Sequence, residues 1–387
     1  MVALRLSGST LHDTPVQTIL LLVSSAWAWF GNVPEPAPPT SCLAKSGTFE
    51  QLVQCLNSYT VPAKTYDADT YAEAQPTDPQ LAAWTSAVQT LMTVGTSNTC
   101  TAAIATIDEN NALYGIYTFA DFTDSENNAA YCVLIESTGT EADKYSKGWG
   151  FLAVPTFAVP SRLHLSAPHP IFDEDTPEQA GALFKSAGAR SLLIAGRHRQ
   201  SYHVPTSCIQ PLNNRTIYFK TDPAHDIEQP FFAASIALFE AQTAAPGGCP
   251  AASCAFLQLH AKATTTCAKD KAFLSAGLGH TPLDVAWYTD ATYRPVKGLK
   301  SALLAPDAFP DWTIALPSDD TSCILVASTN VFGRFLNGVA PSDVCTTPAK
   351  VAQTSGRFIH AEQAVASRGP GGYRGWTNAL KATFDLI

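Results

Sequence analysis

The sequence predicts an α/β fold with a mixed, mainly parallel sheet flanked by helices. The clearest evidence is a strand, a helix and a strand in succession: residues 162–167 alternate apolar and polar side chains, residues 176–187 have a helical pattern, and residues 191–195 are mostly apolar. Strands at this spacing pair in parallel, because the helix between them carries the chain back along the sheet. Strand-like and helical segments continue to alternate after this unit, which is typical of α/β proteins.

The helix of this unit has sequence signals at both ends. Thr176 is expected to be its N-cap, Pro177 its first residue and Gln179 its third, and Gly188 is expected to close it. Apolar residues at helical spacing predict further helices within residues 43–95. The remaining predicted elements are strands at 113–117, 130–135 and 150–154, a helix at 230–242, strands at 255–259, 311–316, 323–327 and 356–359, and a helix at 375–384.

Length, charge and motifs exclude several classes of protein. With 387 residues, 46% of them hydrophobic, the chain can bury a sizeable core, which excludes fibrous and largely disordered proteins. A net charge of -9 without a basic stripe argues against a nucleic-acid partner, since phosphate binding needs clustered Lys and Arg. The sequence has no Gly-x-Ser-x-Gly elbow, P-loop or dinucleotide fingerprint, so neither a serine nucleophile nor a nucleotide cofactor is expected.

The cysteines and the N-terminus predict a secreted protein. The 10 cysteines are scattered singly and are expected to form disulfides in an oxidising compartment. An apolar run at 18–23 followed by Ala26-Trp27-Ala28 is typical of a signal peptide, which we place at residues 1–28. That run is shorter than the roughly 20 residues that span a bilayer, so no membrane association is expected after signal removal.

The rest of the chain is expected to hold a Pro-rich linker at 29–41 and a single α/β domain at 42–387. Within the domain, residues 42–150 are expected to form an N-terminal layer on the sheet, and residues 151–387 to carry the site. Asn214-Arg215-Thr216 is a glycosylation sequon in a polar segment, which predicts a glycoprotein with a surface loop at this point. The oligomeric state stays open.

Chemically active side chains follow four of the predicted strands. They are His169, Asp173 and Glu174 after the strand at 162–167, Arg197, His198 and Arg199 after 191–195, His260 after 255–259, and His360 and Glu362 after 356–359. Ligands bind beyond the carboxyl ends of the strands in open parallel sheets. The sequence therefore predicts a site at this edge of the sheet.

A catalytic zinc site needs three protein ligands and an open position for water. His169, His260 and one carboxylate, either Asp173 or Glu174, are the candidate ligands. A carboxylate must then take the proton from the water, and Glu362 is the candidate for this role.

The arginines and the other histidines complete the candidate set. Arg199 or Arg197 would bind a substrate carboxylate or polarise the carbonyl under attack. His198 and His360 are further candidates. His225 is expected to be structural, because residues 221–226 are typical of a turn that leads into a helix.

The run from Leu163 to Thr176, His260 after its strand and Glu362 in a late strand together resemble the zinc-dependent amidohydrolase and carboxypeptidase-like superfamily. Within it, the sequence is most similar to the N-formylglutamate amidohydrolases and the poly-γ-glutamate hydrolases. The resemblance covers about residues 150–387 and implies a phosphorylase/hydrolase-like fold, zinc on His169, Asp173 and His260, and Glu362 as the base. It also implies the reaction: hydrolysis of an amide bond near a carboxylate, of the γ-glutamyl or N-acyl amino acid type, in a small-molecule or peptide substrate.

Two alternatives remain open at the level of sequence. Arg197-His198 after a buried strand, with His360 and Glu362 far downstream, is similar to the histidine phosphatases, in which a histidine is phosphorylated and arginines hold the phosphate. The chain can also be a non-catalytic secreted binding module, a degenerate hydrolase that keeps its fold and a partner.

Overall fold

A mixed sheet of 9 strands carries the fold in the computed structural model, which describes residues 37–140, 143–210 and 216–386. The strands are β1 (Tyr117–Thr123), β2 (Ala130–Glu136), β3 (Phe151–Pro155), β4 (Leu163–Ala167), β5 (Ser191–Ile194), β6 (Ala255–Ala261), β7 (Ala272–Ser275), β8 (Ile314–Ala315) and β9 (Phe358–Gln363). Their order in the sheet is β1-β2-β3-β5-β4-β6-β9-β7-β8. The predicted signal peptide, with Asn214 and Arg215 of the sequon, lies outside the described residues.

The predicted α/β class with a mixed sheet is confirmed, and the share of parallel pairing is smaller than expected. Four pairings are parallel: β5 with β4, β4 with β6, β6 with β9, and β7 with β8. The other four pairings are antiparallel. The difference arises mainly from β1, β2 and β3, because successive strands without a crossover helix pair antiparallel.

Helices cover both faces of the sheet. They are α1 (Cys42–Lys45), α2 (Phe49–Ser58), α3 (Ala68–Ala74), α4 (Asp78–Thr93), α5 (Cys100–Ile104), α6 (Thr176–Ala187), α7 (Pro230–Ala244), α8 (Pro282–Thr289), α9 (Pro295–Leu303), α10 (Val331–Leu336), α11 (Val365–Arg368) and α12 (Pro370–Phe384). Along β3, Phe151 and Ala153 join the apolar layer that includes α2, α6 and α12, and Leu152 and Val154 join the layer that includes α4 and α7. This alternation is the period of two that a strand buried on both faces requires.

Two predicted strands are displaced or absent in the structure, and one observed strand was not predicted. The first predicted strand, 113–117, is a turn up to residue 116, and β1 begins at Tyr117. Residues 323–327, predicted as a strand, form no strand; Ile324 is 79% exposed and Ala327 has a left-handed backbone with φ of 54°. Strand β7 was not predicted, because it is only four residues long.

The start of α6 differs as well. Its N-cap is Asp175, in a left-handed conformation with φ of 67°, rather than Thr176. Thr176 is the first helical residue, and its hydroxyl donates a hydrogen bond to the Asp173 carbonyl. The Gln179 side chain, expected near the cap, is buried and bonds to Gln363 of β9. Gly188 ends the helix in the left-handed conformation, as predicted.

The last residues of the expected linker belong to the packed structure. Residues Pro39–Ser41 form a 3₁₀ turn, Pro39 is buried, and the Tyr59 hydroxyl donates to the Ala37 carbonyl. All ten cysteines pair, which confirms the prediction of disulfides; the pairs are Cys42–Cys55, Cys100–Cys132, Cys208–Cys345, Cys249–Cys254 and Cys267–Cys323. Among the described residues, no helix has the length and apolar character needed to cross a bilayer.

The strand order creates a crevice at one edge of the sheet. The chain passes from β4 through α6 to β5 on one side, and later returns to place β6 on the other side of β4. The loops that follow β4 and β6 therefore leave in different directions. Such a switch point at the carboxyl ends of parallel strands is where α/β proteins bind ligands.

Candidate active site

A pocket of 270 Å³ opens at the carboxyl ends of β4, β6 and β9. Its ionisable and imidazole side chains are His169, Asp173, Arg199, His225, His260, Lys262, His360 and Glu362. Its outer part is lined by Phe172, Tyr218, Ile324 and Leu325. The pocket thus has a polar floor and an apolar mouth.

The loop after β4 holds His169 and Asp173 on the same side. The Asp173 N–H donates to the His169 carbonyl at 2.8 Å and closes a turn, so the two side chains meet, with Nδ1 of His169 3.1 Å from Oδ2 of Asp173. Within this loop Ile171 and Asp175 both have φ of 67°. Non-glycine residues in this left-handed region cost on the order of 1–3 kcal/mol each and occur at functional sites, where packing holds them.

Strands β6 and β9 deliver three more side chains to the same face. His260 is paired with Glu362, and Gln258 with His360, and side chains two residues apart on a strand share a face. Nδ1 of His260 lies 3.1 Å from Oδ2 of Asp173. Nε2 of His360 lies 3.4 Å from Oε1 of Glu362. The Asp173 carboxylate therefore joins the loop after β4 to the end of β6.

Asp222 organises the opposite wall of the pocket. Its carboxylate is fully buried and lies 2.9 Å from Nε2 of His169 and 3.0 Å from Nδ1 of His225. The Arg199 guanidinium donates to the second oxygen of the same carboxylate. The His225 ring stacks on Tyr218 with the ring centroids 3.6 Å apart. Asp222 thus fixes one cation and two imidazoles at once.

Burial and charge set the protonation of the site. Burial lowers the pKa of His260, and together with His260 it holds the pKa of His360 well below its usual range, so both imidazoles are neutral at pH 7. Burial and Arg199 act to lower the pKa of His169, but its position between Asp222 and Asp173 raises it on balance. Burial and the Asp173 carboxylate raise the pKa of the Glu362 carboxyl.

The residues present fit a metal ion. Among the described residues, three overlapping groups have ligand atoms within 4.8 Å of one another: His169, Asp173 and His260; His169, Asp222 and His225; and His260, His360 and Glu362. The first group is the predicted ligand set. Ligand atoms about 2.0–2.2 Å from a tetrahedral ion lie roughly 3.3–3.6 Å apart, and Asp173 lies 3.1 Å from each imidazole, slightly closer than that range.

Two buried nitrogens at this place have no partner. Nε2 of His260 and Nδ1 of His360 make no hydrogen bond within the described part of the chain. Buried polar atoms are normally satisfied, and neutral imidazole nitrogens are common metal ligands. An ion bound through Nε2 of His260, as in the group with His360 and Glu362, would supply the interaction that this nitrogen lacks, whereas the 3.1 Å contact to Asp173 is made by the other ring nitrogen, Nδ1.

Three candidates from the sequence lie outside the pocket. Arg197, predicted as catalytic, is 2% exposed and donates to the backbone carbonyls of Ala74 and Lys147, so it fastens the N-terminal layer instead. Glu174 has a side chain that is 78% exposed, 3.9 Å from Arg368. His198 accepts a hydrogen bond from the Gln200 N–H and packs against Phe172, beside the pocket but not in its lining.

Sequence reasoning missed Lys262, which lines the pocket, and Asp222, which is buried behind the lining. Asp222 precedes a proline, a pattern typical of an exposed turn. This pattern gives no indication that the carboxylate is buried in an ion pair with Arg199. Lys262 lies two residues beyond His260, and this spacing on a strand was the available signal. His225, expected to be structural, lines the pocket beside Asp222.

Comparison with known proteins adds little. No protein-family model and no curated protein matches the chain. Among solved structures, a tomato leucine aminopeptidase variant is similar over 81% of this chain and 62% of its own, with 11% sequence identity and a TM-score of 0.26. The chain thus spans less than two thirds of that protein, and a likeness this weak says nothing of activity.

Proposed function

We propose that the protein is a secreted, metal-dependent hydrolase that cleaves an amide bond near a carboxylate in a small-molecule or peptide substrate. The observation that carries this proposal is the meeting of His169, Asp173 and His260 at the switch point of the sheet, with their ligand atoms within 4.8 Å. Two imidazoles and a carboxylate are a donor set of catalytic zinc sites. When bound, zinc lowers the pKa of its water ligand and polarises a carbonyl.

The chain's own residues would supply the proton transfers. Glu362 lies on β9 directly beside His260, at the floor of the pocket, and is the carboxylate placed to accept a proton from the attacking water. The same group can then return that proton to the leaving amine. His360, 3.4 Å from Glu362, orients this carboxylate.

Arg199 is connected to the candidate ligand His169 through the Asp222 carboxylate, which contacts both side chains. Its guanidinium is tied to that buried carboxylate and lies over the Phe172 ring, 4.9 Å from the ring centre. It therefore holds a fixed positive charge at the wall of the pocket. A fixed donor of this kind stabilises negative charge that develops on a carbonyl oxygen.

The phosphatase alternative receives less support. A histidine phosphatase needs its histidine and arginines to converge on one open phosphate site. Here the Arg197 guanidinium donates to backbone carbonyls, and His198 does not line the pocket but packs against Phe172.

The proposed secretion rests on the cysteines and the sequon. Five disulfides support an oxidising compartment, and together with the sequon at Asn214 they support a secreted glycoprotein.

Hydrolysis of N-acyl amino acids and γ-glutamyl amides by the zinc-supplemented protein, with and without a chelator, tests the proposal. Glu362→Gln should lower kcat by about 10²–10⁴-fold, the usual contribution of a general acid–base group, while metal stays bound. Glu174→Gln, at an exposed carboxylate in the neighbouring loop, is the matched control and should retain activity. A bound partner without turnover of any amide would instead favour the binding-module alternative.

A further inference from the structure

Two cationic side chains line the pocket among the described residues, Arg199 and Lys262. They differ in how their charge is balanced. Arg199 is paired with Asp222, whose carboxylate is fully buried, and its guanidinium is held against aromatic rings. Its charge therefore already has a counter-ion within the protein.

Lys262 has no such partner. It is only 6% exposed, and no carboxylate of the described residues lies within 4 Å of its ammonium group. Nζ donates to the backbone carbonyls of Thr266 and Cys267, at 3.0 and 3.1 Å. An ammonium group has three N–H donors, so one is left over. The carboxylates of Asp270 and Glu362 act on it only from beyond contact distance. Asp270 lines a different pocket, on the side of Asp320, and Glu362 lies at the reacting end of the same pocket.

Burying a charge without a counter-ion is costly, and buried charges in proteins are normally paired. A negatively charged ligand in the pocket would supply the missing partner of Lys262. Lys262 is also well placed relative to the reacting groups. The strand pairing continues past β6, because the Lys262 N–H donates to the Gln363 carbonyl. Lys262 and His260 therefore share a face of the strand and lie about 7 Å apart along it.

We propose that Lys262 determines specificity by binding the carboxylate of the substrate, in place of the arginine expected from the sequence. The inference rests on the proposed function for the reaction itself. It deepens that function by naming the substrate class: an amide whose carbonyl lies a few bonds from a free carboxylate, so that the carbonyl reaches His260 and Glu362 while the carboxylate reaches Lys262. The two carbonyls that hold Nζ keep the ammonium group in position for this contact.

Binding of glutarate and of its neutral diamide, glutaramide, measured by titration calorimetry at constant ionic strength, tests the inference. These probes have the same carbon chain and differ in charge. Wild type should bind glutarate at least about 10-fold more tightly than glutaramide, because a charge-assisted hydrogen bond is roughly twice as strong as a neutral one. Lys262→Met should abolish this preference, and Lys262→Arg should keep part of it.

Lys269→Met is the matched control, since Lys269 lies in the same segment with a side chain that is 62% exposed. It should bind both probes as wild type does. If Lys262→Met does not fold, as judged by circular dichroism, Lys262→Gln takes its place and should show the same loss. A preference for glutarate that survives either substitution, or its absence from wild type, overturns the inference.

The outcome is separable from that of the proposed function. Metal content is measured on the same preparations. A Lys262-dependent preference in a protein that binds no metal would keep the carboxylate site and refute the hydrolase. Bound metal without the preference would refute the carboxylate site alone.

Discussion

At the scale of the residue, the direction of two adjacent carboxylates decides which of them can bind a metal. Asp173 is buried and touches both His169 and His260. Glu174, next to it, faces solvent near Arg368. The sequence left the choice between them open, because adjacent positions in a loop have no periodicity that fixes their direction.

Asp173→Asn should therefore weaken zinc binding by more than about 100-fold, since loss of even an outer-sphere partner commonly costs roughly 10–100-fold. Glu174→Gln, one residue away, should leave zinc affinity unchanged. Competition titrations with a chromogenic chelator measure both. Equal affinities for the two variants would remove Asp173 from the ligand set.

A second residue-scale prediction concerns Glu136, which does not line the candidate site. Burial raises its pKa to about 7 although the N–H groups of Lys147 and Gly148 donate to it. The ordinary pKa of a glutamate side chain is 4.5. Between pH 4.5 and pH 7 the carboxyl group of Glu136 therefore keeps its proton in the folded protein and loses it in the unfolded chain. The free energy of unfolding contributed by this group therefore falls as pH rises through that interval.

Glu136→Gln removes this titration. The variant loses one hydrogen-bond acceptor and is less stable than wild type at pH 4.5. The difference in free energy of unfolding between wild type and variant should shrink by about 3 kcal/mol from pH 4.5 to pH 8, because only wild type loses stability over this interval. Urea unfolding at the two pH values measures the gap. Glu109→Gln, at an exposed position, should show no such trend. A gap for Glu136→Gln that does not change with pH would contradict the buried-proton explanation.

At the scale of the element, one disulfide joins two walls of the pocket. Cys267 ends the segment that carries Lys262, and Cys323 begins the irregular segment that carries Ile324 and Leu325. That second segment has the apolar content of a strand, which is why the sequence predicted one. It lines the pocket instead: Cys323 and Val326 pack on Phe273 of β7 and Ala315 of β8, and the segment does not pair as a strand. The disulfide at Cys323 and the left-handed Ala327 fix its path.

Removing this disulfide by Cys267→Ala with Cys323→Ala should destabilise the protein by about 4 kcal/mol on the chain-entropy estimate for its sequence separation of 56 residues. It should also raise KM, because both pocket walls are released. The control pair Cys249→Ala with Cys254→Ala has a separation of 5 residues and should cost about 2 kcal/mol without affecting KM. Thermal melts and KM report the two effects, and an unchanged KM in the first variant would contradict a role in shaping the pocket.

At the scale of the whole molecule, sequence reasoning succeeded where chain order decides position. The β4, α6 and β5 unit and the strands β6 and β9 were identifiable, and the rule that parallel strands expose their carboxyl ends at one edge brought His169, His260 and Glu362 together.

What the sequence could not predict depends on contacts between distant segments. The direction of Arg197 depends on carbonyls of Ala74 and Lys147, which belong to the N-terminal layer. No local sequence pattern shows that β3 pairs antiparallel with β5. Strand β8 has only two residues, which is too short for a recognisable pattern. The buried pair of Arg199 and Asp222 likewise joins residues that no local rule relates.

The most direct test of the proposed metal centre is elemental analysis of the purified protein after zinc supply. We expect about one zinc per chain in wild type, as for a single catalytic site. The double variant His169→Ala with His260→Ala should lose it while its circular dichroism and disulfides are retained, and His203→Ala, at an exposed histidine outside the pocket, should keep it. A wild-type protein without metal, or a double variant that binds as much as wild type, would contradict the centre at His169, Asp173 and His260.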